Sequence, residues 1–360
     1  MKFNNSFVFL CLLLIITACD TRNTYNDEQV VLRPIYAKGF LVTKDDDNYH
    51  IIIRNPSDTT QVVSDTYIPV DSMSTSGKSA CFSTTHLAFL DKIGHIEDVV
   101  GIPDSSYFIY SSVFKKLNKS AIKEVTLGGG TRIEVLLALR PKYVFMNEFN
   151  SDDYATIKSS KLTVLPVLEY LETHPLGRME WIKFFGFLFC EDSTANVLYN
   201  TIVEEYNLYA SKYKNETVKP QIADLIEYNG YWYTSGGKSY MAKFYQDAGF
   251  DYVWKDDNHV GSFAVSPETA ITVGAKTEYM RYVTQYTAEI TTDYFNNLND
   301  YYRNFKAVKA KKVIVCNAMY TPYYIEDVVE PDIVLKDFIF AQGGMQDETY
   351  TPKYYKIIRL

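Results

Sequence analysis

The residues best able to do chemistry are spread along this sequence without the spacing that catalysis needs. It contains neither a Gly-x-Ser-x-Gly elbow nor a His-Glu-x-x-His pair. The triple glycine Gly128-Gly129-Gly130 lacks the Lys-Ser/Thr pair that completes a phosphate-binding loop. The five histidines also lack metal-ligand spacing: His50, His86, His95, His174 and His259. The sequence therefore predicts a protein that is not an enzyme and has neither a metal ion nor a cofactor of its own.

The cysteines indicate neither a zinc site nor a disulfide scaffold. Beyond Cys19 only Cys81, Cys190 and Cys316 remain, widely spaced and without a Cys-x-x-Cys pair. Two interpretations stay open for them, namely buried free thiols and a single long-range bridge.

Charge and composition narrow the classes of partner. The 360 residues carry a formal net charge of −8, and an acidic surface repels nucleic acid and other polyanions. The 31 tyrosines and 21 phenylalanines exceed what a core alone requires. A tyrosine ring offers an apolar face and a polar tip, which suits contact with large amphipathic ligands. We therefore expect a small-molecule ligand and no nucleic acid partner.

Residues 1–18 have the pattern of a secretory signal. Lys2 precedes the apolar run Phe7 to Ile16, whose length is about half of what a bilayer-spanning helix needs. The motif Ile16-Thr17-Ala18-Cys19 resembles the lipobox of bacterial lipoproteins. That resemblance implies that Cys19 carries a diacylglycerol anchor and that residues 19–34 form a tether. An ordinary signal peptide followed by a chance cysteine is the alternative.

The elements that must position a binding site follow from the hydrophobic pattern. Residues 35–70 contain strand-like segments separated by turns, which predicts an antiparallel entry sheet. From Ser83 onward, short apolar runs alternate with helical stretches, and a second set of such units begins after Lys219-Pro220. Between them, residues 179–213 have apolar residues at helical spacing. Alternating strands and helices predict an α/β protein with mainly parallel sheets.

Six segments in this order resemble the substrate-binding proteins of metal-chelate ABC importers, also called class III or helical-backbone binding proteins. The clearest is the leucine-rich helix 133–139 followed by Arg140-Pro141-Lys142, where Lys142 replaces the acidic residue usual in that family. The resemblance covers residues 80–340. Its other main segments are Asp98-Val99-Val100-Gly101-Ile102, Ser235-Gly236-Gly237-Lys238, Asp247-Ala248-Gly249 and Val265-Ser266-Pro267-Glu268.

The family resemblance implies two α/β lobes joined by a long helical connector, with a ligand cleft between the lobes. The N-terminal lobe with its β extension would occupy residues 35–175, the connector 176–216 and the C-terminal lobe 217–360. We expect a monomer that is exported, lipid-anchored and periplasm-facing.

The function implied is capture of an iron-siderophore type chelate and its delivery to an ABC permease with its ATPase. Cobalamin and haem are alternatives in the same system. A surface adhesive lipoprotein without a transport role is an alternative of another class.

The resemblance also implies site residues. The candidates for ligand contact lie at the first helix of the N-terminal lobe, the start of the connector and two loops of the C-terminal lobe: Thr85, His86, Arg178, Trp232, Tyr233, Lys238, Tyr320 and Tyr323. The alternatives are a capping or packed histidine at 86, a core tryptophan at 232 and tyrosines of a surface loop at 320 and 323. Arg132 and Arg281 are further cations that could meet an anionic chelate. Glu134 and Glu268, one in each lobe, match the family positions that meet arginines of the permease.

Overall fold

The computed structural model describes residues 29–109, 111–147, 151–215, 217–345 and 349–358. The predicted signal peptide 1–18, the lipidation candidate Cys19 and most of the predicted tether lie outside these ranges. Among the described residues, none of the helices combines the length and apolar composition that crossing a bilayer requires.

The chain enters through a four-stranded antiparallel sheet in sequential order, as the turn pattern predicts. Its strands are β1 (Val30–Leu32), β2 (Phe40–Lys44), β3 (Asn48–Asn55) and β4 (Asp58–Pro69). Phe40 on β2 packs edge-on against Trp181, with ring centroids 4.9 Å apart. The β extension therefore rests on the helical layer of the protein.

Two buried carboxylates fasten the start of this extension. Glu180 accepts hydrogen bonds from the backbone N–H groups of residues 35–37 at 2.7–2.9 Å. Glu172 accepts from the N–H groups of Lys38 and Gly39 and from the Trp181 indole, each at 3.0 Å. Burial raises the pKa of Glu172 to about 7, although these donors favour its charged form. Both carboxylates thus satisfy backbone donors that the sheet leaves unpaired.

The N-terminal lobe is built around a parallel five-stranded sheet of order β11-β10-β5-β6-β7. Its strands and helices, with a small β8–β9 hairpin, are β5 (Ser79–Cys81), α1 (Thr84–Lys92), β6 (Val99–Ile102), α2 (Ser112–Lys116), β7 (Lys123–Glu124), β8 (Thr126–Leu127), β9 (Gly130–Thr131), α3 (Ile133–Leu139), β10 (Tyr143–Met146), α4 (Asp152–Lys158) and β11 (Thr163–Pro166). The predicted strands at 99–102, 143–146 and 163–167 are present.

Two helices occupy the predicted connector, α5 (Pro175–Leu188) and α6 (Asp192–Tyr213). Every residue of α5 is buried, because this helix is covered by the β extension, α6 and both lobes. The chain turns between them at Cys190, which has a left-handed backbone (φ 57°). Cys190 is consequently exposed, whereas Cys81 and Cys316 are buried, and all three thiols are free.

The C-terminal lobe has a five-stranded sheet of order β15-β12-β17-β18-β19, in which only β19 is antiparallel, and a three-stranded antiparallel sheet β13-β14-β16. Its elements are β12 (Gln221–Asp224), β13 (Ile226–Tyr228), β14 (Tyr231–Ser235), α7 (Tyr240–Asp247), β15 (Asp251–Tyr252), β16 (Ser262–Val265), α8 (Pro267–Gly274), β17 (Tyr279–Thr284), α9 (Thr292–Leu298), α10 (Lys306–Lys309), β18 (Val313–Asn317), α11 (Tyr323–Glu326), α12 (Pro331–Ala341) and β19 (Lys356–Ile357). The predicted α/β class is confirmed.

The lobes meet where residues 323–330 of the C-terminal lobe pack on α1 of the N-terminal lobe. Ile325, Val328 and Val329 belong to the same buried cluster as Leu87 and Leu90 of α1. Across the same seam, the Thr84 hydroxyl donates to the carbonyl of Tyr324 at 2.6 Å. Because the carboxyl ends of parallel strands gather at one edge of each sheet, the loops that follow them line a cleft beside this seam.

Candidate functional site

A cavity of about 450 Å³ lies between the two lobes. The N-terminal lobe lines it with residues that follow its parallel strands, including Ser83 after β5, Asn147 after β10 and Glu169 after β11. The connector contributes Arg178. The C-terminal lobe contributes residues from β14, α7, β17 and α11, among them Ser235, Tyr240, Arg281, Tyr323 and Tyr324. Its position between the lobes makes this cavity the candidate ligand site.

Arg178 is the charged group at the centre of the seam. It lies in the first turn of α5, which Pro175 begins and the His174 ring caps by accepting the N–H of Leu176 at 3.1 Å. Its Nη1 donates to Oδ2 of Asp327 at 3.0 Å, and its guanidinium lies 4.0 Å from the Tyr240 ring centroid. Its Nε has no hydrogen-bond partner among the described residues. Nε is therefore a buried donor that the described residues leave unsatisfied.

Glu169 supplies the complementary acceptor. Its carboxylate is 2% exposed, and its Oε1 accepts a hydrogen bond from the Thr85 hydroxyl at 2.6 Å. Within the described part of the chain, its Oε2 has no partner. Burial raises the pKa of Glu169, and the nearby charge of Arg178 opposes that rise. A ligand group that donates a hydrogen bond would satisfy this oxygen.

Arg281 lines the same cavity but is held by the protein. Its Nη1 donates to Oδ1 of Asp224 at 2.9 Å, its Nε to the Tyr355 hydroxyl at 2.8 Å and its Nη2 to the Tyr323 hydroxyl at 2.9 Å. Asp224 also accepts from the Ser235 hydroxyl at 2.5 Å. Although burial alone lowers the pKa of Arg281, Asp224 raises it, so the guanidinium remains charged. This network fixes the floor of the cleft.

The ionised groups of the cleft nearly cancel. Arg178 and Arg281 are balanced by Glu169 and Asp327 in the lining, with Asp224 directly behind Arg281. The remaining wall consists mainly of hydroxyls and tyrosine rings. Within the described ranges, no group of three or more His, Cys, Asp or Glu side chains is placed to hold a metal ion. Hydrogen bonding and ring contact are therefore what this cleft offers to a ligand.

The structure brings three of the predicted ligand residues together in the cleft, Thr85, Arg178 and Tyr323. Tyr320, four residues before Tyr324, is 68% exposed and lines a different cavity beside β18 and β19. Tyr233 is on the exposed face of β14 and is absent from the cleft lining. Two other predicted cations are also outside the cleft lining. Arg132 is exposed before α3, and Lys238 lines a third cavity.

Two predicted ligand residues are core residues instead. His86 is on the inner face of α1, fully buried, with its ring 6.3 Å from those of Phe145 and Phe185. Trp232 is 2% exposed and packs on Tyr302 with ring centroids 5.1 Å apart. Side chains alternate along β14, so the inward direction of Trp232 sends Tyr233 outward. Neither His86 nor Trp232 can reach a ligand in the cleft.

Several residues of the site were missed from the sequence, namely Glu169, Tyr170, Tyr240 and Asp327 in the lining and Asp224 behind Arg281. Asp224 had a readable signal, because it is a carboxylate at the carboxyl end of the buried strand Gln221–Asp224. Glu169 and Asp327 gave none, since each occupies a short 3₁₀ turn whose partners are more than 80 residues away.

Burial of His86 predicts acid sensitivity. Burial lowers its pKa to about 3, from about 6.5 in the unfolded chain. The unfolded state therefore binds more protons between these values, and the free energy of unfolding falls by up to about 1.4 kcal/mol per unit as pH falls from 6.5 towards 3. We expect His86→Phe to flatten this dependence in urea titrations at pH 7 and 5. Phenylalanine at the exposed His259 is the control, and equal slopes in both variants would contradict the assignment.

The two predicted docking residues occupy similar places in the two lobes. Glu134 lies in the first turn of α3 and Glu268 in the first turn of α8, and both are exposed. Ser266 caps α8 by accepting the N–H of Thr269 at 3.2 Å. A carboxylate near a helix N-terminus also stabilises the helix by about 0.3–1 kcal/mol. The positions leave both side chains available to a partner.

Comparison with known proteins gives a family. A family model described as periplasmic binding protein matches residues 80–320. An uncharacterized lipoprotein of Methanocaldococcus jannaschii is 28% identical over 268 residues, which are 71% of this chain and 62% of that protein. The chain spans about three fifths of the length of the curated relatives it matches. The N-terminal sheet lies outside the family match.

Two solved structures have the same fold. One is a periplasmic heme binding protein from Pseudomonas aeruginosa, 11% identical, with a TM-score of 0.60 and coverage of 79% of this chain and 98% of that chain. The other is an ABC-type Fe3+-hydroxamate transport system from Saccharomonospora viridis, 15% identical, with a TM-score of 0.57 and coverage of 78% and 96%. At these identities the likeness establishes the fold alone.

Proposed function

This chain belongs to the periplasmic binding protein family, and from that premise we propose that it captures a metal chelate between its lobes and delivers it to an ABC permease with its ATPase. The observation that carries the proposal is the interlobe cavity of about 450 Å³, whose lining includes Arg178 and Glu169. Arg178 Nε and Glu169 Oε2 are buried polar atoms without a hydrogen-bond partner among the described residues. Binding without catalysis is the role we assign, because the cleft presents hydrogen-bonding groups and rings.

The charge of the cleft favours one class of chelate. Arg281 is paired with Asp224, and Arg178 donates one hydrogen bond to Asp327. The cleft therefore has no excess of positive charge for a ligand. A strongly anionic chelate would need such a surplus. We therefore favour an iron-siderophore chelate of low net charge, such as a ferric hydroxamate. The likeness of the fold to a heme binding protein and to an Fe3+-hydroxamate transport system supports a ligand of this class.

A corrinoid or haem is the second candidate. Four tyrosines line the cavity, Tyr170, Tyr240, Tyr323 and Tyr324, and flat rings suit a macrocycle. Haem would need an axial ligand, and with His86 in the core the tyrosines of the lining are the candidates for that role.

Calorimetric titration with four purified ligands tests the proposal. The protein is titrated with a neutral ferric hydroxamate, a ferric tricatecholate, cobalamin and haemin, with absorbance recorded in parallel. We expect saturable one-to-one binding of the hydroxamate and at least about tenfold weaker binding of the tricatecholate. If only cobalamin or haemin binds tightly, that molecule is the ligand in place of the hydroxamate, and the proposed role as a binding protein stands. Binding of none of them would favour the adhesive alternative.

Lipid anchoring at Cys19 is proposed on the lipobox-like motif, and Asp20 after it favours retention in a membrane facing the periplasm. Cys19→Ser removes the acceptor thiol, so we expect either an uncleaved precursor or a form that leaves the detergent phase. Detergent partitioning of the wild type, Cys19→Ser and the internal control Cys190→Ser measures this. Unchanged partitioning of Cys19→Ser would rule out the anchor.

A further inference from the structure

A third cavity, of about 520 Å³, has an unusually one-sided charge. Five lysines line it, namely Lys38, Lys219, Lys238, Lys243 and Lys255, and the only carboxylate in the lining is that of Asp251. The chain as a whole has a net charge of −8. With five ammonium groups and one carboxylate, the lining of this cavity is positively charged although the chain as a whole is negative. We call this cavity the lysine pocket.

Only two of the five lysines have a carboxylate partner within the described ranges. Lys255 donates to Oδ1 of Asp251 and Lys243 to Oδ1 of Asp247, both at 2.6 Å. Lys219 donates to a backbone carbonyl, and Lys38 reaches only the Thr173 hydroxyl, at 3.5 Å. Lys238 is exposed and makes no ion pair with a described residue. Lys219 and Lys238 thus have no carboxylate partner in the part of the chain that is described, whereas the charge of Lys38 opposes the burial that raises the pKa of the nearby Glu172.

The five lysines come from separate parts of the fold. Lys38 belongs to the β extension, Lys219 precedes β12, and Lys255 follows β15. Lys238 precedes α7 and Lys243 lies on it, so the positive end of the α7 dipole adds to the charge of the pocket. The fold therefore brings together charges that are distant in the sequence. Their mutual repulsion is unfavourable, and a bound anion would reduce it.

We propose that the lysine pocket binds a small phosphate-bearing anion with at least two negative charges. Lysine ammonium groups are point charges that suit phosphate oxygens. The ammonium groups of Lys219 and Lys238, with that of Lys38 in the same lining, match a polyphosphate better than the single charge of a phosphodiester lipid headgroup. The lining includes Lys38 and Thr173 on one side of the seam and the other lysines on the other side, so the bound anion would also tie the lobes together.

Calorimetry with inorganic pyrophosphate tests this, using the full chain in detergent. Lys219→Glu/Lys238→Glu reverses two unpaired charges, and Lys276→Glu/Lys309→Glu makes the same change of net charge at exposed positions elsewhere. We expect one-to-one binding that the pocket variant weakens by about 100-fold and the control by less than about threefold. Binding should also raise the unfolding temperature of the wild type but not of the pocket variant.

Three results would overturn the proposal. The first is no binding of pyrophosphate at millimolar concentration. The second is an equal loss in the pocket and control variants, because that pattern means attraction by total charge. The third is tighter binding of glycerophosphoglycerol, a soluble phosphodiester headgroup, than of pyrophosphate. None of these results depends on the ligand of the cleft.

Discussion

Replacing Asp327 with alanine should lower the free energy of unfolding by about 3–5 kcal/mol, because it leaves a buried guanidinium without its partner. The side chains of Arg178 and Asp327 are both 7% exposed, and their ion pair joins the connector to the seam between the lobes. Burial raises the pKa of Asp327, while the neighbouring Arg178 charge opposes that rise. Urea unfolding followed by circular dichroism at pH 7 measures the loss.

Two variants make this result specific. Arg178→Met/Asp327→Leu removes both charges together and should recover stability to within about 2 kcal/mol of the wild type. Asp251→Ala breaks the exposed pair with Lys255, which should cost no more than about 1 kcal/mol. If Asp327→Ala costs no more than Asp251→Ala, the ion pair does not stabilise the seam.

Reversing the charge at Glu134 and Glu268 should abolish transport of the chelate without affecting its binding. Glu134→Arg/Glu268→Arg turns two attractions for permease arginines into repulsions, which should lower the affinity for the permease by about 100-fold or more. Neither residue lines the cleft, so the affinity for the chelate should stay unchanged. Uptake of a radiolabelled chelate by cells that make each variant, together with calorimetry on the purified protein, measures the two properties separately.

The control for this experiment carries the same change of charge elsewhere. Glu97 and Glu204 are exposed, and neither is at the first turn of α3 or α8. Glu97→Arg/Glu204→Arg should transport normally. Normal transport by Glu134→Arg/Glu268→Arg would contradict the docking role, and failure of both double variants would point to total charge instead.

Local patterns predicted the elements, because each depends on residues close in sequence. The strand Tyr143–Met146 is a short apolar run after a helix, and a buried parallel strand has that pattern. The helical spacing of residues 179–213 predicted a helical connector, which α5 and α6 form. Residues 39–53 likewise form the antiparallel strands that their turns predict.

The site itself was predicted only in part, because its members meet across long stretches of sequence. Thr85 and Glu169 are 84 residues apart, and Arg178 and Asp327 are 149 apart. No local pattern pairs them. The error at Trp232 was avoidable, since neighbours on a strand face opposite ways and the larger ring usually faces the core. The error at His86 was harder to avoid, because the start of a helix does not reveal which of its faces is buried.

One pair of variants tests whether the ligand binds in the cleft between the lobes. Tyr324 lines the cleft and is 50% exposed, whereas Tyr320 is 68% exposed and lines the cavity beside β18 and β19. Both rings can be removed without opening a core. We measure the Kd of the bound chelate by calorimetry for Tyr324→Ala and Tyr320→Ala. We expect Tyr324→Ala to weaken binding of the chelate by about tenfold or more and Tyr320→Ala to leave the Kd unchanged. The reverse pattern would mean that the ligand binds outside the cleft.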